Sequence, residues 1–338
     1  MTAKQVVVPA YTLAAAILAG VALLLVLVLH LLPALFAGLL VFELVHVIEP
    51  PLHSRFPDRR KTLVALGLLA GTSVLLVGAF VLGLVLFLNS DVGNIPALFS
   101  KMAEIIVDSR GSLPQWLANE IPADSGTLRD LATQWLRTNS ATIQLAGAET
   151  GRGLLYVLLG MIIGALVALH EALPRVPHRN LASALIERAK RLSTSFRSVV
   201  FAQARISALN ALFTAVYLLL ILPAFGVHLP LTKTLIGLTF VVGLLPVVGN
   251  LVSNTVIVIV SLSHSVQAAG GSLLFLILIH KLEYFLNARI IGKRIESRAW
   301  ELLAAMLVME AAFGLGGLIA APIYYAYLKD ELARQGAI

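Results

Sequence analysis

The sequence predicts an all-α fold: a polytopic integral membrane protein with about six full spans, two broken or re-entrant hydrophobic hairpins and a small extramembrane helical insert. Three observations predict it. Several apolar runs reach or exceed the ~20 residues that cross a bilayer. Of the 338 residues, 59% are hydrophobic and 13% charged, against about 45–50% and about 25% in soluble domains, so lipid is the natural solvent for the excess. Lys and Arg gather in particular loops, so the formal net charge of +7 reads as the positive-inside bias of cytoplasmic loops.

Composition also removes whole classes of function. The chain has no Cys, which excludes disulfides, Cys-based metal sites and a thiol nucleophile. Its eight His residues are scattered without the short spacings of a zinc site, and no P-loop or dinucleotide fingerprint is present. No metal or other cofactor is therefore expected, and an ATP-driven pump would need a separate subunit. No aromatic-plus-basic pattern points to a nucleic-acid partner. His-Glu-x-x-His, Gly-x-Ser-x-Gly and clustered Asp or His are all missing, which points away from an enzyme.

Residues 1–89 form N-terminal membrane helices. Lys4 and the apolar residues from Val6 onward resemble a signal peptide, but the run to Leu29 is longer than an h-region and no small-x-small cleavage site follows. It is read as a retained span from Ala10 to Leu29. His30 to Pro33 breaks it, and a shorter apolar segment from Ala34 to Val47 ends at Pro50 and Pro51. Arg55, Arg59, Arg60 and Lys61 mark a cytoplasmic loop before the long span Thr62 to Leu88.

Residues 90–150 are the extramembrane insert. Ile105, Ile106, Leu113, Trp116, Leu128, Leu131 and Trp135 recur there at loosely helical spacing, with acidic residues outnumbering basic ones. Residues 151–205 hold the fourth span, Gly153 to Leu169, and a basic amphipathic cytoplasmic helix. That helix carries Arg188, Lys190, Arg191 and Arg197 opposite an apolar face of Leu181, Leu185, Leu192 and Phe196. It is either a coupling or lipid-surface helix or, as favoured, a solvated face that sets topology.

Residues 206–330 are the C-terminal membrane region, the expected transport core. After the fifth span, Ile206 to Leu222, the stretch Leu235 to Leu262 is broken by Gly243, Pro246 and Gly249. It is a kinked span or a hairpin. If it crossed once, the next span would deliver Arg289, Lys293, Arg294 and Arg298 to the outside, against the positive-inside rule. A hairpin entering and leaving on the outer side restores the rule. Trp300 to Leu328 has the same construction around Gly314, Gly316 and Gly317, and a second hairpin entering from the inside fits its basic flanks.

Two interrupted segments suggest a transport site, because broken helices expose backbone groups and half-helix dipoles at membrane depth. The alternative is that the glycines only permit tight packing. The candidate substrate-binding or pathway residues are Pro246, Gly249, Asn250, Ser253, Asn254, Asn287, Glu310, Gly314, Gly316 and Gly317. Asn250, Ser253 and Asn254 suit a neutral, hydroxylated solute, or join helices. Glu310, an ionisable group in an apolar stretch, points to H+ or Na+ coupling, or is a paired structural carboxylate. Asn287 shares one helical side with His280, Glu283 and Tyr284, which line the same cavity or mark the end of the span.

The chain resembles the autoinducer-2 exporter family of bacterial permeases over nearly its whole length. The resemblance is carried by Gly243-Leu244-Leu245-Pro246-Val247-Val248-Gly249, by Ala288-Arg289-Ile290-Ile291-Gly292 and by Gly314-Leu315-Gly316-Gly317-Leu318-Ile319-Ala320-Ala321-Pro322. Asn250 and Ala288 stand where many relatives have Pro. The resemblance implies a multi-pass protein of the bacterial inner membrane that exports a small quorum-sensing furanone or exchanges sodium for protons. It also implies a homo-oligomer with an elevator-like movement. The expectation is thus a secondary transporter of a small polar organic solute. Its partners are membrane lipid, that solute and H+ or Na+, and both termini are cytoplasmic. Cation/proton antiport and a non-transporting membrane scaffold are the alternatives.

Overall fold

The computed structural model describes residues 9–48, 59–88, 90, 95–119, 140–171, 179–245, 248–290 and 299–335. Among them there is no strand: the architecture is all-α and polytopic. Among the described residues five helices are long and apolar enough to cross a membrane, namely Ala10–Val28, Gly67–Phe87, Arg152–Glu171, Asn180–Ala224 and Trp300–Arg334. The chain divides into two compact units, residues 1–80, 150–200 and 295–338, and residues 81–149 and 201–294.

The first unit opens with α1 (Ala10–Val28) and α2 (Leu32–Ile48). The break between them is a local backbone event. His30 takes φ 55°, while its own N–H bonds the Leu27 carbonyl and the Leu31 N–H bonds the Val26 carbonyl. These paired bonds over a left-handed residue close a helix C-terminus. Pro33 then falls in the first turn of α2, where its missing N–H costs nothing. α3 (Arg59–Leu88) and α5 (Ser140–Glu171) are the next long helices, and α4 (Ile95–Asp108) lies between them in sequence. α5 begins at Ser140, thirteen residues before the Gly153 start read from sequence.

In the first unit α2 and α5 meet backbone to backbone. A Cβ on Gly160 would lie 2.0 Å from the Ala34 carbonyl oxygen, and one on Gly164 would lie 2.1 Å from that of Gly38. Small residues four apart on both helices permit this approach, the usual seam between helices in lipid. The amphipathic start of α6 (Asn180–Val216) packs on α2, with Phe196 buried edge-on against Phe36.

The last helix, α10 (Ala299–Arg334), is not a straight span. Gly314 sits at φ 61° and ψ −146°, a region open only to glycine. Beyond it the chain turns back. The Glu301 carboxylate accepts hydrogen bonds from the Tyr325 hydroxyl and, at 3.1 Å, from Lys329. In a straight helix Glu301 and Tyr325 would be roughly 36 Å apart. Gly317 lies against the Met309 carbonyl in the same sense. The stretch is therefore a helical hairpin with its tip at Gly314.

The second unit is built on another hairpin. α7 (Thr232–Gly243) and α8 (Val248–Leu262) have 12 and 15 residues. At 1.5 Å per residue they are roughly 18 and 22 Å long, short of the ~30 Å hydrocarbon core. They pack along their length: Leu235 on α7 is fully buried in one cluster with Val256, Ile257 and Val260 of α8. The hairpin alternative is thus the observed one for both broken stretches. α9 (Val266–Ile290) returns along α8, joined to it by hydroxyls: Ser261 and Ser272 lie 2.7 Å apart, and Tyr217 reaches Ser272 at 3.0 Å. The apolar face of α4, with Leu98, Met102 and Ile105, packs into the same core. The insert helix α4 is therefore docked on the hairpin.

The sequence grouped both broken stretches in residues 206–330. The α7–α8 hairpin falls in the second compact unit and the α10 hairpin in the first.

Candidate functional site: the tip of the α7–α8 hairpin

A helix ending inside a membrane leaves four carbonyls without intrahelical partners, and no water is at hand to satisfy them. At the end of α7 each is accounted for. The Val241 and Val242 carbonyls accept from the Leu244 and Leu245 N–H groups at 3.3 and 2.9 Å. The Phe240 carbonyl accepts from the Ser207 hydroxyl, and the Gly243 carbonyl accepts from Gln203 Nε2 at 2.6 Å.

Both side-chain donors come from α6, where Gln203, Ser207, Asn210 and Thr214 recur at four, three and four residues and so share one face. The third member reaches the start of α8: Asn210 Nδ2 donates to Asn250 Oδ1 at 3.0 Å. Asn210 is only 6% exposed, and its own carbonyl oxygen Oδ1 is buried with no hydrogen-bond partner. A buried acceptor left unpaired costs about 1–3 kcal/mol. Ser253, 1% exposed, lies one turn along α8, with its hydroxyl 3.4 Å from the Asn250 carbonyl. The tip therefore presents amide and hydroxyl groups around one unpaired acceptor, suited to a hydroxyl, an amine or a water.

The predicted residues separate into distinct roles. Asn250 and Ser253 belong to this polar cluster, and Asn254 is half-buried beside them in sequence. Thr255 turns outward and bonds the Leu251 carbonyl. Gly249 is required by packing: a Cβ there would lie 2.1 Å from the Val242 carbonyl oxygen. Gly314 and Gly317 likewise form the α10 hairpin, whereas a Cβ on Gly316 would meet nothing within 4 Å, and nothing in the structure explains that glycine. Pro246 lies outside the described residues. Asn287 is on α9, and its side chain is outside what the structure describes. Glu310 sits one turn before the Gly314 tip and is exposed on its unit.

Sequence reading passed over Gln203, Ser207 and Asn210. The signal was present: polar residues at helical spacing within an apolar span. It also passed over a set of buried charges in the first unit. Arg188, 6% exposed, bonds Glu331 at 2.8 Å, the Thr12 carbonyl at 2.8 Å and the Ala184 carbonyl at 3.0 Å. Arg191 also binds Glu331, and Ser193 donates to the buried Glu43. The basic helix is thus not simply a solvated face: Arg188 is internal and ties α6 to the ends of α1 and α10.

A family model described as AI-2E family transporter matches residues 11–334. No curated protein and no solved structure matches the chain.

Proposed function

The chain belongs to the AI-2E family of transporters, and from that premise we propose that it is a secondary transporter of the bacterial inner membrane that exports a small polar organic solute, of the kind represented by a hydroxylated quorum-sensing furanone. The observation that carries this reading is the unpaired, buried Asn210 Oδ1 beside Asn250, at the tip of a hairpin whose arms are too short to cross a bilayer. Irregular backbone at membrane depth is tolerated where protein or a hydrated cavity satisfies it, and such places bind solutes. The cluster offers amides and hydroxyls, which recognise a neutral hydroxylated molecule through paired donors and acceptors.

The test is flux in proteoliposomes loaded with a panel of labelled furanone diols and short polyols. Asn210→Leu removes the acceptor at similar size and should lower flux at least about tenfold, equivalent to ~1.4 kcal/mol. Thr255→Val removes an outward hydroxyl and should leave flux unchanged. No flux of any solute under proton or sodium gradients, or equal flux in Asn210→Leu and the parent, refutes the reading. Sidedness is checked by single Cys substitutions at His264 and Arg179, since the chain has no Cys. An impermeant thiol reagent on intact cells should label the first and spare the second if the basic loops are cytoplasmic.

Cation/proton antiport is the second reading, favoured by the exposed carboxylate of Glu310 one turn from the α10 tip. Sodium-dependent proton flux that survives Glu310→Gln with an unchanged pH profile removes Glu310 from it.

A further inference from the structure

Within the first unit lies a groove of about 1140 Å³ between α2, α5 and the start of α6. Its origin is the glycine–alanine seam. Ala34, Gly38, Gly160 and Gly164 bring the two backbones together and leave no side chains to fill the surface above them. The walls are apolar, from Leu35 and Leu39 on α2 and Ile163 and Val167 on α5. The polar lining comes from the end of α5 and from α6: His170, Glu171, Ser183, Glu187, Lys190 and Ser193. The wall from Leu31 to Phe42 rises eleven residues, roughly 16 Å, close to the ~15 Å of one leaflet's hydrocarbon.

We propose that this groove is a specific site for a phospholipid with a primary-amine, zwitterionic headgroup, phosphatidylethanolamine in chemistry, holding one acyl chain along the α2–α5 seam. Charge complementarity selects the headgroup. Lys190 and Glu187 have side chains 46% and 59% exposed and stand one helical turn apart on α6. Positions three apart on a helix are about 5–6 Å from each other. That spacing offers an ammonium to the lipid phosphate and, to its amine, the carboxylate of Glu187, one oxygen of which already accepts from Arg191. Lys190 is also held by Glu171 at 2.5 Å, which fixes its position at the groove mouth. A trimethylated choline headgroup has no N–H to donate to Glu187, and a glycerol headgroup leaves that carboxylate facing a net anion.

The experiment uses the full chain with Trp116, Trp135 and Trp300 replaced by Phe and one reporter introduced as Leu39→Trp, in phosphatidylcholine vesicles. Brominated-acyl phosphatidylethanolamine, phosphatidylcholine or phosphatidylglycerol is titrated in, and quenching is read. A second reporter, Leu75→Trp, sits on α3 where Leu75 is 74% exposed, outside the groove. The Leu39 reporter should reach half-quenching at about fivefold less phosphatidylethanolamine than either other lipid, equivalent to ~1 kcal/mol. The Leu75 reporter should show no preference. Glu187→Gln, and separately Lys190→Gln, should erase the preference at Leu39 alone. Identical curves for the three lipids at both reporters overturn the proposal in favour of ordinary surrounding lipid. Preference for phosphatidylglycerol overturns the headgroup assignment. Absence of quenching at Leu39 with cross-linking between copies shows a second chain in the groove and overturns it as well. The readout does not depend on which solute is carried or which face is cytoplasmic.

Discussion

Gly249→Ala tests whether the α7–α8 tip works as an assembled polar cluster. The added Cβ would stand 2.1 Å from the Val242 carbonyl oxygen and 2.8 Å from the Gly243 Cα. Favourable contact between heavy atoms begins near 3.5 Å, so the arms must part by more than about 1 Å at the tip. Both obstructing atoms are backbone and cannot rotate away. The Gln203–Gly243 bond of 2.6 Å and the Asn210–Asn250 bond of 3.0 Å span this point, and the second would be stretched past a useful length. Overpacking of this kind costs about 1–3 kcal/mol. Set against the assembled tip, that lowers its occupancy roughly 5- to 140-fold, at ~1.4 kcal/mol per tenfold. The assay pairs proteoliposome flux with thermal unfolding in detergent. Gly270→Ala is the control, because a Cβ there meets nothing within 4 Å and the residue lies inside α9. Removing a helical glycine should stabilise that control by up to about 1 kcal/mol. Flux and unfolding midpoint for Gly249→Ala equal to those of Gly270→Ala would show that the close approach of the arms is not needed.

Further outcomes follow from the first unit. Glu331→Gln leaves Arg188 and Arg191 without their shared carboxylate and should destabilise by about 3–5 kcal/mol, whereas Asp330→Asn, in an exposed pair with Arg334, should change stability by under about 1 kcal/mol. Equal thermal midpoints for the two variants would contradict the buried latch. Gly314→Ala forces a side chain into a glycine-only backbone region and should cost about 1–3 kcal/mol. The loss should appear both in the midpoint and as weaker cross-linking between Cys placed at Glu301 and Tyr325; undiminished cross-linking would mean that another residue turns the chain.

Much of this architecture was legible in the chain. Apolar length marked the spans, and Gly243, Gly249 and Gly314 marked where helices stop, because the left-handed and close-packed positions that glycine allows are local properties of the backbone. What a broken helix does next was not legible. A break at Gly314 is compatible with a bend or with a full reversal, and the reversal is seen only in the bonds from Tyr325 and Lys329 to Glu301. The candidate site divides the same way. Asn250 and Ser253 stood out as polar residues beside a break, but their partner Asn210 did not, since it lies forty positions earlier and becomes relevant only when α6 packs on the tip.

The sequence by itself determined that this is an all-α membrane protein of a transporter family, with two interrupted hydrophobic segments and a strong bias of basic charge to particular loops. Those follow from composition, period and local backbone preference, which act over a few residues. Tertiary structure alone decided that both interruptions are hairpins, that α6 satisfies the carbonyls at the end of α7, that Asn210 keeps an unpaired buried oxygen, and that Arg188 is an internal residue bound to Glu331 rather than a solvated charge. The physical reason is that a polar group's role in lipid is set by which distant partner removes its desolvation cost, and that partner is chosen by packing, not by its neighbours in the chain.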